Sequence, residues 1–126
     1  MKILTICSDP NFSGHLKLRK SLENNGYDDI EVLVRPFQFG RQMQIIYEWC
    51  KQNPNEVFIY TDAYDTVALA SKDVMLEKLT SFCCEMLVSA EKGCYPLIEL
   101  KDQYPETKHE WRFVNAGQFM TNPASL

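Results

Sequence analysis

Two aspartates, Asp62 and Asp65, stand three positions apart, directly after the run Val57-Phe58-Ile59-Tyr60. Carboxylates are hard oxygen ligands, suited to a divalent cation of the Mg²⁺ or Mn²⁺ kind, and such cations usually carry phosphates. The run before them is continuous in β-branched and aromatic residues rather than alternating. That pattern predicts a strand covered on both faces, as in a parallel sheet. In open α/β sheets, ligands bind in the crevice beyond the carboxyl ends of the strands, where this pair falls. The same spacing also suits a turn in which Asp62 is a cap and Asp65 is solvated. Spacing alone leaves both readings open.

The elements that must position the pair follow from pattern. Lys2 to Cys7 reads as a first strand, and Ser8-Asp9-Pro10-Asn11 as a turn cluster. Ser13 is placed to cap a helix running to about Asn25, with Gly26 at its end. Ile30 to Val34 reads as a second strand. Gly40 to Gln52 carries a helical stripe of Met43, Ile46, Tyr47 and Cys50, closed by Pro54. Ser71 caps a further helix with the stripe Met75, Leu79, Phe82 and Cys83. Met86 to Ala90 is another buried strand. A loop containing Gly93, Pro96 and Pro105 leads to a last strand, Arg112 to Phe119, broken or bulged at Gly117. Alternating strands and helices predict a largely parallel sheet with helices on both faces.

The 126 residues suffice for a single domain, residues 1–126, with a real core. A hydrophobic share of 45% and a charged share of 24% describe a globular chain. The net charge of -4 argues against a nucleic-acid partner, but not against a phosphorylated ligand, since a metal can supply positive charge. The five cysteines show no CxxC or zinc spacing. Cys7, Cys50 and Cys83 fall in apolar patterns and are expected as buried thiols in a reducing, cytoplasmic compartment. No signal peptide and no membrane-spanning stretch are evident.

Four motifs occur in succession: Asp62-Ala63-Tyr64-Asp65, Ser89-Ala90-Glu91-Lys92-Gly93-Cys94-Tyr95-Pro96, Tyr104-Pro105 and Arg112-Phe113-Val114-Asn115-Ala116-Gly117. This succession resembles the glycosyltransferase domain of procollagen lysyl hydroxylases and their bacterial and viral relatives, from about Gly40 to Asn122. The resemblance implies a GT-A fold: a three-layer α/β/α, Rossmann-like arrangement with a mostly parallel sheet. It also implies a UDP-sugar donor and Mn²⁺ (or Mg²⁺).

Carried over by position, the resemblance makes Asp62 and Asp65 the metal ligands and sets Tyr64 beside the uracil ring. Thr5 falls at the end of the first strand, where the family contacts the uridine, and Gln42 matches a family glutamine. Glu91 and Asn115, at the ends of neighbouring strands, are candidates to line the sugar pocket. Read from residue type alone, Tyr64 serves equally as a core aromatic, Thr5 as a strand threonine, Glu91 as a solvated acid and Asn115 as a turn residue. Met43 stands where the family usually has lysine, Tyr95 where it has tryptophan, and Ala116 and Gln118 where it has serine and glycine. The family's domain continues further, with an acidic patch and a histidine metal ligand. The resemblance therefore implies an N-terminal, nucleotide-binding part without the acceptor-side half. His15 and His109 are expected as surface residues.

The expected chemistry is transfer of a hexose from a UDP-sugar to a hydroxyl acceptor, a protein side chain or a glycan. A truncated or degenerate nucleotide-binding module without turnover is the alternative. A phosphotransfer or phosphatase domain is a third reading, because acid pairs at strand ends serve there too. The last strand is expected to present an uncovered face or edge where the family's continuation would pack, which points to self-association.

Overall fold

The computed structural model describes residues 1–38 and 40–121. Asn122, to which the sequence resemblance extends, lies outside them. Five strands form one sheet: β1 (Lys2–Cys7), β2 (Ile30–Val34), β3 (Phe58–Thr61), β4 (Met86–Glu91) and β5 (Phe113–Thr121), in the order β2-β1-β3-β5-β4. β1 pairs in parallel with β2 and with β3. β5 enters antiparallel between β3 and β4, so β1 to β4 share one direction and β5 opposes them.

Alternation along the strands divides the core into two layers. Leu4, Phe58, Tyr60 and Phe119 face α2 (Gln42–Gln52) and meet its Ile46, Trp49 and Cys50. Ile3 and Ile59 face the other way. They meet Leu18 and Leu22 of α1 (Ser13–Asn24), Tyr27, and Leu79 of α3 (Lys72–Ser81). Helices therefore cover both faces of a mostly parallel sheet, in the Rossmann-like manner expected. Phe58 anchors the α2 side, edge-on to Trp49 and Phe119 at centroid distances of 5.0 and 6.0 Å.

Several local expectations are corrected. Ser13 is the first helical residue, not the cap. Phe12 precedes it without a side-chain cap bond, because the Asp9–Phe12 turn delivers the chain into the helix one residue early. α2 starts at Gln42 rather than Gly40, whose φ of +79° is left-handed. Its buried stripe is Ile46, Trp49 and Cys50, while Met43 and Tyr47 are exposed. Trp49 takes the stripe because its indole N–H has a partner, Glu31 Oε1 at 2.7 Å. α3 is capped by Ser71 as expected, accepting from Val74 N, but it ends at Ser81. Phe82 and Cys83 thus fall beyond the helix and are exposed, and Cys83 is not a buried thiol. His109 is exposed as expected, whereas His15 is buried on the inner side of α1. No helix among the described residues is long and apolar enough to cross a membrane.

Candidate active site at the carboxyl end of the sheet

The site begins with β3. Its buried run ends at Thr61, and Asp62 is the first residue beyond the strand. The Asp62 amide donates to the Gly117 carbonyl at 2.8 Å, which extends the β3–β5 ladder by one bond and fixes the Asp62 backbone. A tight turn follows. The Thr66 hydroxyl donates to the Asp62 carbonyl and receives a bond from the Thr61 hydroxyl at 3.0 Å. Side chain-to-backbone bonds of this kind hold a strand-end turn without further sheet pairing.

The Asp62 carboxylate is half-buried and oriented. Oδ1 accepts from the Tyr60 hydroxyl at 3.1 Å and from Gln42 Nε2 at 3.5 Å; the same amide donates to the Ala116 carbonyl at 3.3 Å. Oδ2 lies over Gly117, where an added Cβ would stand 2.4 Å from it. Only glycine permits that approach. Burial pushes the Asp62 carboxyl above its ordinary value. The Tyr60 hydrogen bond opposes the rise and the charge of exposed Asp65 adds to it. The Asp65 carboxylate is therefore close enough to act on that of Asp62. A divalent cation between them would relieve both the desolvation and the repulsion. A donor set of carboxylate oxygens fits a hard cation. Among the described residues, no group of three or more His, Cys, Asp or Glu side chains gathers as a complete protein cage.

Tyr64 fastens this turn to the loop after β1. Its hydroxyl accepts from the Ser8 and Asp9 amides at 2.7 and 2.8 Å and lies 2.9 Å from the Ser8 hydroxyl. The ring stands edge-on to Phe12 at 5.0 Å. α1 closes in at the same place: a Cβ on Gly14 would meet the Tyr64 carbonyl oxygen at 2.1 Å. The Tyr64 hydroxyl is thus committed within the protein, and the residue is partly exposed.

β5 supplies the far wall through a bulge. Register shifts between Val88 and Ser89, so that Val88 faces Phe119 while Ser89 faces Asn115. The extra residues are Ala116, Gly117 and Gln118, and the break expected at Gly117 is this bulge. The Asn115 side-chain oxygen accepts from the Gly117 amide at 2.9 Å, and the Ser89 hydroxyl donates to the Gln118 carbonyl at 2.8 Å. Asn115 therefore shapes the loop that cradles Asp62. Glu91 ends β4, opposite Phe113 and half-buried, at the same end of the sheet as Asp62.

The structure thus brings Gln42, Asp62, Tyr64 and Asp65 together, with Asn115 and Glu91 along the β5 and β4 side. It does not bring Thr5 there. β1 runs on to Cys7, so Thr5 lies inside the strand rather than at its end, fully buried on the α1 face by alternation with Ile3. Three residues of the site carry no motif signal: Tyr60, Thr66 and Ser8. For Tyr60 the signal that could have found it is the period of two that sets it on the same strand face as Asp62.

The fold is that of a Rossmann-like α/β domain, with the carboxylate pair at the carboxyl end of the sheet. The PLOD GT domain family model matches residues 39–126, and the chain belongs to that glycosyltransferase family. Among curated proteins, the chain is 35% identical over 71 residues to a procollagen-lysine,2-oxoglutarate 5-dioxygenase of Drosophila melanogaster, covering 56% of this chain and 10% of that protein. It is 34% identical over 64 residues to the human multifunctional procollagen lysine hydroxylase and glycosyltransferase LH3, covering 51% and 9%. The Caenorhabditis elegans multifunctional procollagen lysine hydroxylase and glycosyltransferase is 31% identical over 86 residues, covering 64% and 12%. The matched stretches thus span about a tenth of these relatives' own length.

Proposed function

We propose that the carboxyl end of the sheet binds a UDP-sugar together with Mn²⁺ or Mg²⁺ at Asp62 and Asp65, in a GT-A-type arrangement, and that the domain transfers the hexose to a hydroxyl acceptor. The observation that carries this reading is the Asp62 carboxylate: half-buried, with Oδ1 oriented by two donors and Oδ2 against Gly117, and with Asp65 close enough to raise its proton affinity. A cation held there supplies positive charge where the departing diphosphate develops negative charge. Tyr64 offers its ring to the base, and Gln42 stands at the start of α2 beside the carboxylate. In the transfer, the bond from the sugar carbon to the diphosphate oxygen breaks and a bond to the acceptor oxygen forms. Glu91, at the carboxyl end of β4, is proposed as the group that takes the acceptor proton.

Nucleotide binding without turnover is a second reading. It is favoured by the Asn115 oxygen and the Tyr64 hydroxyl, both already engaged in bonds within the protein. Calorimetry and UDP-release assays separate the two. UDP is expected to bind more tightly with Mn²⁺ than with EDTA, and Asp62→Asn or Asp65→Asn should abolish the difference. Equal UDP affinity with and without metal sinks the metal site. Metal-dependent binding with no sugar transfer or donor hydrolysis selects the second reading.

A further inference from the structure

Tyr60 carries a buried hydroxyl that the core does not need. Its ring is 1% exposed, packs among Leu4, Ile46, Phe58 and Phe119, and stacks on Phe119 at 5.3 Å. A phenylalanine would fill the same space. A buried hydroxyl costs free energy unless it is hydrogen-bonded. This one donates to Asp62 Oδ1 at 3.1 Å, two residues along the same strand face. Gln42 Nε2 donates to the same oxygen at 3.5 Å, while Oδ2 packs closely against Gly117.

We propose that Tyr60 is a positioning residue that makes Asp62 a one-oxygen metal ligand, and that this sets the site's preference for a small divalent cation over Ca²⁺. The inference rests on the reading that Asp62 and Asp65 hold a divalent cation. An oxygen that already accepts two donors is a poor ligand, so Oδ2 is the one presented. Turning the carboxylate to offer both oxygens would break the Tyr60 bond, and the Tyr60 ring cannot follow because Phe119 and the α2 side chains hold it. Ca²⁺ takes six to eight oxygens and often binds a carboxylate through both. Mg²⁺ demands near-octahedral geometry at shorter distances, and a single-oxygen carboxylate suits it. Mn²⁺ likewise favours an octahedral oxygen set. Hydrogen-bond partners of metal ligands commonly change metal affinity by about 10–100-fold when removed.

The test is Mn²⁺ titration of the intact protein with UDP, followed by electron paramagnetic resonance, with Ca²⁺ as competitor. Tyr60→Phe, shown to be folded by its circular dichroism, is expected to bind Mn²⁺ about tenfold more weakly and to lose part of its discrimination against Ca²⁺. Gln42→Leu, which leaves the core intact, should shift the ratio in the same direction by less. A purely structural hydroxyl would not move the ratio of the two metals. Folded Tyr60→Phe with an unchanged Mn²⁺-to-Ca²⁺ ratio overturns the proposal and leaves the metal site standing. If Tyr60→Phe does not fold, an unchanged ratio in Gln42→Leu overturns it instead. Unchanged Mn²⁺ binding by Asp62→Asn refutes the underlying site, whatever Tyr60 does.

Discussion

Gly117→Ala tests the cradle around Asp62 most directly. The backbone tolerates alanine there, since Gly117 is not among the left-handed residues. The cost comes from contact: the new Cβ would stand 2.4 Å from Asp62 Oδ2, 3.1 Å from its Cγ and 3.0 Å from Asn115 Oδ1. Ordinary contact requires the carboxylate to retreat by about 1 Å. That retreat stretches the 3.1 Å Tyr60 bond beyond hydrogen-bond range. Losing a hydrogen bond to a charged group costs roughly 1.5–3 kcal/mol, and insertion of a methyl into a tight site about 1–3 kcal/mol, relieved here because a side chain can move. A total of roughly 2–4 kcal/mol is expected, a fall in melting temperature of about 4 °C for each kcal/mol. The Mn²⁺-dependent part of UDP affinity should fall more steeply, by at least about tenfold, because the displaced oxygen is the proposed ligand. Differential scanning calorimetry and titration calorimetry read the two effects separately. A Gly117→Ala protein with wild-type melting and wild-type Mn²⁺–UDP affinity would refute the close approach on which the site depends.

Tyr64→Phe removes the acceptor of the Ser8 and Asp9 amides. Both residues are exposed and water can replace the bond, so a loss of about 1 kcal/mol is expected, with faster hydrogen exchange at these two amides as the direct check. Phe58→Ala and Ile46→Ala should each cost roughly 2–5 kcal/mol in urea unfolding, because both side chains are fully buried in the α2-side core. His15 is buried without a hydrogen-bond partner for either ring nitrogen among the described residues, and burial, helped by the Arg19 charge, lowers its pKa. The unfolded chain then binds the extra proton first. This contribution to stability is therefore complete above about pH 6.5 and is lost as pH falls below it. The slope of the urea midpoint against pH in that window should flatten in His15→Leu.

The sequence made β3 legible because a strand buried on both faces cannot alternate, and Phe58-Ile59-Tyr60 does not. The α-side boundaries were less legible for reasons of tertiary contact. Trp49 displaced Met43 and Tyr47 from the buried stripe of α2 because its indole found Glu31 on β2, a partner that helical periodicity does not contain. Cys83 read as core only while α3 was extended through it. Its left-handed φ of 48° places it past the helix end instead. Thr5 was misplaced by two residues of strand. The pattern had β1 reaching Cys7, and a residue two short of the end is inside the sheet. The antiparallel entry of β5 between β3 and β4 was not legible at all, since nothing local distinguishes a last strand at an edge from one in the middle.

That middle position is what makes the site. Asp62 alone was readable as a strand-end carboxylate, but its orientation draws on Gln42 of α2, Tyr60 of β3 and the Ala116–Gly117 bulge of β5. The turn it begins is tied through Tyr64 to Ser8 and Asp9. These segments lie apart in sequence, and the bulge joins them only when β5 has paired with β3. A carboxylate pair at the end of an isolated βαβ unit would keep the Tyr60 and Gln42 bonds to Oδ1 but lack the residue that packs against Oδ2. The bulge converts spacing into geometry, because it brings a residue without a side chain against Oδ2. The position most informative about chemistry is therefore Gly117, which has no functional group of its own. Its significance appears only once the strand carrying it is seen to lie beside Asp62.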